Sequence, residues 1–293
     1  MLAALVRHWD VKEVASLVWV PEAMNSRVWI VETNLGRSVV KAVPDVGQFS
    51  GALRVATAVE RSGLRTGAPL PTRKGDLCID IDGNAVALLR YVPERGLESA
   101  AADDRQRWGQ ALAHLHQHLT SIRVPPFADQ WPWQVPDPTS SFLDAAPWLR
   151  PTIDDAVEDA ASRWRPERNM LIHGDPSASD FRVDAIGQLA AVIDWGYAMA
   201  GPPLHDLACA VLFEWLDGRD GSDVVAAYHR EIAVDYDLFR SLLRRRLALQ
   251  AWWLSWREAT GSDLGSRDEA WNRRSLSTIR EFFDKNGWLR VST

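Results

Sequence analysis

The chain predicts an α+β fold in two parts, a small β-rich lobe over residues 1–92 and a larger, mainly helical lobe over 93–293. Three observations lead there. Two pairs of β-rich segments joined by turns fill the first third, with one helical stretch between them. After Pro93 the apolar spacing shifts to threes and fours. Two short apolar runs, ending near 172 and 193, each run into a loop that carries glycine and aspartate.

Residues 27–33 and 38–43 read as a hairpin across Asn34-Leu35-Gly36-Arg37, because β-branched and aromatic side chains flank a turn containing glycine. Residues 49–61 read as a helix stopped by Gly63. A second pair of strands, 77–81 and 85–92, flanks Asp82-Gly83-Asn84. Beyond Pro93, residues 104–119 align Trp108, Leu112, Leu115 and Leu119 on one helical face. Residues 124–151, rich in proline and tryptophan, predict a long irregular connection with short helices. Helices are expected over 153–164, 204–216, 222–233, 237–259 and 268–285.

Composition narrows the function. A net charge of −6, spread along the chain, excludes the basic footprint of a nucleic-acid or anionic-membrane binder. Cys78 and Cys209 stand far apart, without metal-site spacing, and are expected to be reduced thiols. No signal peptide is read at the N-terminus, and no apolar run approaches the roughly 20 residues of a membrane span. The expectation is a cytoplasmic protein, monomer or homodimer, with no nucleic-acid or membrane partner.

Leu171-Ile172-His173-Gly174-Asp175 precedes Ile193-Asp194-Trp195-Gly196, so two loops each offer a carboxylate directly after an apolar run. Metal-assisted phosphoryl transfer needs such a pair, one carboxylate for the attacking hydroxyl and one for a divalent cation. Each motif alone is also ordinary turn chemistry. Together, and followed by Pro203-Leu204-His205-Asp206-Leu207-Ala208, they resemble the catalytic and metal loops of the aminoglycoside phosphotransferase family, a branch of the protein-kinase-like fold. The resemblance implies a bilobal fold that binds ATP or GTP with Mg²⁺ and phosphorylates a hydroxyl of a small molecule. An aminoglycoside-like antibiotic is the favoured acceptor. A sugar or other metabolite is the alternative, as is an impaired nucleotide-binding pseudokinase.

On that resemblance Asp175 is the catalytic base, Asp194 and Asp180 are the metal ligands, and His173 and Asp206 support the loops. Asp180 departs from the family pattern, which carries Asn there, and adds a third carboxylate that cannot donate a hydrogen bond when ionised. Lys41 is one of only four lysines against 29 arginines, and its place in a β-rich run suits a phosphate-binding lysine. Glu60 is the only acid in the following helix and is either the partner of Lys41 or, since it falls late in that helix, a surface acid. Asn25 and Ser26 would cover the phosphates, and Tyr91 and Val92 would form the hinge against the base. His114, His116 and His118 lack a plausible third metal ligand, so a zinc site is not favoured. Arg244-Arg245-Arg246 reads as a solvated or salt-bridged face, and Trp252 and Trp256 as core or ligand-stacking aromatics.

Overall fold

The computed structural model describes residues 1–21, 26–44, 46–123, 140–261 and 269–285. In chain order the elements are α1 (Leu2–His8), β1 (Val14–Val20), β2 (Arg27–Thr33), β3 (Gly36–Val43), α2 (Val46–Arg61), β4 (Pro69–Leu70), β5 (Ile79–Ile81), β6 (Asn84–Arg90), β7 (Arg95–Gly96) and α3 (Ala102–Leu119). They continue with α4 (Leu149–Arg163), β8 (Met170–Ile172), β9 (Phe181–Val183), β10 (Leu189–Val192), β11 (Met199–Gly201), α5 (Pro203–Leu216), α6 (Ser222–Glu231), α7 (Tyr236–Thr260) and α8 (Glu269–Asp284). The fold is α+β, with an antiparallel sheet in the N-terminal region and a helical C-terminal part. No helix among the described residues is long and apolar enough to cross a membrane.

Two compact units emerge. The first holds Met1–Arg95 together with Arg182–Ala198, so the Asp194 loop packs with the N-terminal residues. Its sheet runs β1-β2-β3-β6-β4, with β5 also paired to β6. The expected hairpin forms with Arg27 opposite Ala42 and Thr33 opposite Gly36. Gly36 takes φ +89°, a conformation that favours a residue without Cβ. Alternation along β3 buries Ser38, Val40 and Ala42 on one face and turns Lys41 to the other. The first face meets Leu5, Trp9 and Val11 from α1 and the residues after it, and the Trp9 indole donates to the Leu70 carbonyl. On the opposite side, Phe49 and Leu53 of α2 pack against Ala85 and Ala87.

Neither α1 nor β1 was expected from the sequence. β1 is an edge strand whose burial does not alternate, so its seven residues lack the period-two signature. β6 stops at Arg90, short of the predicted 92, and Tyr91 and Val92 continue outside the sheet. The second unit holds Gly96–Phe181 and the described residues from Met199 onward. Its helices pack as α3 on α6 and as α4, α5 and α8 on α7. α3 and α6 approach so closely that a Cβ on Gly109 would collide with the Val224 carbonyl and lie 2.7 Å from the Ala227 Cβ. Most of the predicted irregular stretch, 124–139, lies outside the described residues; after it come a 3-10 turn over Ser141–Ala145 and α4, which begins at Leu149.

Candidate active site

In the first unit, β10 is fastened beside the loop after α2. Arg65 bridges Ala191, and the Val192 N–H donates to the Arg65 carbonyl. The chain then reverses at Asp194, which adopts the left-handed conformation, φ 63° and ψ 55°. Aspartate tolerates that region better than most residues, and such strain persists only where the surroundings hold it. Here α2 packs on the turn Trp195–Tyr197, Gln48 donates to the Gly196 carbonyl, and the Trp195 indole donates to the Val192 carbonyl. The reversal brings the Asp194 carboxylate to the Lys41 ammonium.

Glu60 does something else. Its Oε2 accepts from the Thr66 N–H, the Thr66 hydroxyl and the Ala68 N–H, and Arg90 lies 3.6 Å from its other oxygen. Burial raises its pKa, but these hydrogen bonds and Arg90 outweigh that and hold it below the ordinary value. The expectation that Glu60 pairs with Lys41 is therefore corrected: among the described residues no ion pair joins them, because Glu60 sits at the end of α2, where it staples the loop into β4.

Tyr91 and Val92 line a cavity of about 440 Å³ with Leu35, Arg37, Glu60 and Arg65, but neither Lys41 nor Asp194 borders it. Arg37 lies over the Tyr91 ring at 5.1 Å. Ser26 is half-buried directly before β2, and Asn25 lies outside the described residues.

In the second unit the loop from His173 to Asp180 hangs from Asp206, in the first turn of α5. The fully buried Asp206 carboxylate accepts from the His173 N–H at 2.9 Å, the Gly174 N–H at 2.8 Å and His116 Nε2 at 3.1 Å. Gly174 takes φ +89° to make this turn. Burial would raise the Asp206 pKa; the His116 hydrogen bond, with the nearby His116, His173 and His205, outweighs it and lowers the value. His116 Nδ1 meets the Tyr228 hydroxyl at 2.8 Å. So His116 belongs to this network, whereas His114 is exposed, 3.8 Å from Glu231. His205 Nε2 faces the Gly174 carbonyl at 3.3 Å, and burial lowers its pKa to about 3, so the ring stays neutral near pH 7.

Asp175 follows, half-buried, and its Oδ1 accepts from Arg246 Nη2 at 3.0 Å. Arg246 is 2% exposed and Arg245 8%, so the solvated half of the expectation is corrected for both, while the salt-bridged half holds for Arg246 through Asp175. Arg244 alone is partly exposed, bridging Asp155 and Asp159. Helical phase explains this: Arg246 shares a face with Leu242 and Leu249, which are buried in α7. That phase was the available signal, and reading three arginines as one charged block hid it. Asp180 closes the loop. Its Oδ2 accepts from the Ser177 N–H at 2.8 Å and from the Ser177 hydroxyl at 2.7 Å, a capping box on a single 3-10 turn. Among the described residues, no group of three or more His, Cys, Asp or Glu side chains could hold a metal by itself. Magnesium does not require one, because it usually takes one or two carboxylates and completes its shell with water and phosphate oxygens.

Comparison with known proteins bears on the family and the fold. The family model described as the phosphotransferase enzyme family matches residues 21–273. A homoserine kinase of Caulobacter vibrioides is 24% identical over 240 residues, covering 77% of this chain and 74% of its own length. Protein StrN of Streptomyces griseus is 28% identical over 193 residues, 55% of this chain and 60% of that protein. Among solved structures, a thermostable mutant of aminoglycoside phosphotransferase APH(4)-Ia superposes with TM-score 0.67 at 17% identity, covering 96% of this chain and 99% of the other. Spectinomycin phosphotransferase APH(9)-Ia, in complex with ADP and spectinomycin, gives TM-score 0.59 at 14% identity, covering 97% and 93%. With the family model matched over most of its length and the kinase-like fold shared, the chain belongs to the phosphotransferase enzyme family.

Proposed function

We propose that this protein transfers the γ-phosphate of ATP to a hydroxyl of a small molecule. The observation that carries the reading is the meeting of Lys41 with Asp194, residues that the resemblance assigns to the nucleotide phosphates and their metal. Asp175 is the base: its carboxylate accepts the hydrogen bond of the acceptor hydroxyl and orients it for in-line attack, worth roughly 10²–10⁴-fold. Lys41 binds phosphate oxygens as a point charge, with Ser26 near them and Tyr91 and Val92 beside the base. Asp194 and Asp180 offer the hard oxygen donors that Mg²⁺ prefers, and Asp194 is 49% exposed, so its carboxylate is accessible to a cation. Bound there, the cation would neutralise charge on the transferring phosphoryl group.

The acceptor we favour is a neutral or zwitterionic hydroxylated metabolite. A buried guanidinium against the base, Arg246 on Asp175, makes a poor neighbour for a polycationic aminoglycoside. The homoserine kinase relative, a kinase named for a small hydroxylated amino acid, supports the same choice. Release of ADP, followed with and without Mg²⁺ over homoserine, sugars, hygromycin B and spectinomycin, tests it. Turnover confined to the two antibiotics would reverse the acceptor assignment. Nucleotide binding in a melting assay without any turnover would favour a pseudokinase, and neither binding nor turnover would overturn the proposal.

A further inference from the structure

We propose that Arg246 is a positioning residue: it holds the carboxylate of Asp175 in the orientation from which that carboxylate receives the acceptor hydroxyl. The proposal rests on the phosphotransferase reading above and adds a residue that neither loop motif contains.

The geometry is specific. Arg246 lies on α7, 71 residues after Asp175, and its guanidinium divides three nitrogens among three partners. Nη2 donates to Asp175 Oδ1 at 3.0 Å, Nη1 to Gln250 Oε1 at 2.8 Å, and Nε to Cys209 Sγ at 3.4 Å. Gln250 is one helical turn further along α7, and Cys209 lies on α5. The plane of the guanidinium is therefore set by two buried partners besides the base. A charge already fixed in place can orient a carboxylate, whereas a mobile surface arginine would follow it.

The same cluster sets the backbone of the loop. Cys209 Sγ lies 3.5 Å from the Gly174 carbonyl, and His205 Nε2 lies 3.3 Å from the same oxygen. One face of α5 thus fixes both the peptide preceding Asp175 and the arginine that grips its side chain. With Oδ1 held by Arg246, the carboxylate cannot rotate without breaking a charge-assisted hydrogen bond at a 2% exposed donor, and Oδ2 is the oxygen presented to the hydroxyl. A merely structural ion pair would stabilise the unit to the same extent but would not make catalysis by Asp175 depend on Arg246.

The test uses the whole chain and ATP labelled at the γ-phosphate, with water as the acceptor. Arg246→Gln should lower kcat about 10²-fold with the KM for ATP changed less than about twofold, and Arg246→Lys should recover roughly tenfold of that loss. In the Asp175→Asn background, Arg246→Gln should cost less than about twofold more, because a residue acting through Asp175 has nothing left to position. An undiminished further loss in that background, or a rise in KM at constant kcat, overturns the proposal. Melting temperatures of the two single variants and the double variant give a readout independent of activity: positioning predicts losses that overlap by several degrees, and full additivity overturns it. If the unsubstituted chain neither hydrolyses nor transfers phosphate, the phosphotransferase reading fails, and with it any catalytic purpose for Arg246, while overlapping melting losses would still show the contact.

Discussion

Lys41 Nζ lies 2.5 Å from Asp194 Oδ1, although 153 residues separate them in the chain. The lysine is inserted, 13% exposed, on the side of the sheet that carries α2, while the aspartate is half open to solvent in a left-handed turn. Because the aspartate half of the pair is open to solvent, which screens it, the pair adds only modestly to stability. On the proposed reading, the pair matters for what the two groups would share with a polyanion and a cation.

Lys41→Met should therefore leave the melting temperature nearly unchanged and lower kcat/KM for ATP by roughly 10²-fold, the cost of removing one fixed charge from a developing phosphoryl anion. Asp194→Asn should abolish the stimulation by Mg²⁺ while nucleotide binding without metal persists. Steady-state kinetics across a magnesium titration checks both. Equal responses to magnesium in Asp194→Asn and the unsubstituted chain would contradict the assignment.

Asp206 carries structure, whereas the role proposed for Lys41 is chemical. Asp206→Ala removes an acceptor shared by two backbone N–H groups and His116 in a fully buried site. The expected cost is about 3–5 kcal/mol, the range for leaving buried polar partners unsatisfied. Urea denaturation measures it, and a loss below about 1 kcal/mol would contradict the anchoring role.

Acid should destabilise the protein through the same cluster. The unfolded His205 titrates near 6.5, while the buried ring titrates near 3. Between those values the unfolded state binds a proton that the native state excludes, so stability rises with pH across the window and falls as pH drops. The slope reaches about 1.4 kcal/mol per pH unit for one group. Asp206, lowered below 3.8, adds stability present above that value and lost as pH falls through its folded pKa. Melting curves from pH 7 to pH 4 should show the fall, and His205→Gln should flatten it between pH 6 and pH 4.

Asp180→Ala should cost about 1 kcal/mol by removing the capping carboxylate, whereas Asp180→Asn should cost less, because an amide oxygen can still accept from Ser177. If Asp180 also serves the metal, Asp180→Asn will shift the magnesium concentration needed for half-maximal rate. An unshifted titration assigns this residue to the turn alone.

Gly109→Ala should destabilise the helical unit by about 1–3 kcal/mol or more, because the new methyl meets the Val224 carbonyl and the Ala227 Cβ across the α3–α6 contact. Chemical denaturation reads the change, and a neutral substitution would mean that the two helices separate without cost.

Local signals reached far along this chain. Strand composition around Asn34-Leu35-Gly36 was enough for the β2–β3 hairpin, since alternation and turn chemistry are written in neighbouring residues. Threes-and-fours spacing was enough for α3, and α5, α6, α7 and α8 also fall within a few residues of the helices expected there. The two aspartate loops were visible because glycine, histidine and apolar runs stand beside them in sequence. Tertiary packing decided the rest. It gave Lys41 its partner in Asp194 and left Glu60 to the loop after α2, because the reach of a side chain depends on where a helix ends against a sheet. It also drew Arg246 out of a charged run into a buried contact with Asp175, since the cost of burying a guanidinium is offset by partners that arrive from α5 and the Asp175 loop as well as from α7 itself. Periodicity can show which face of a helix is buried; which charge waits opposite that face is a property of the folded chain.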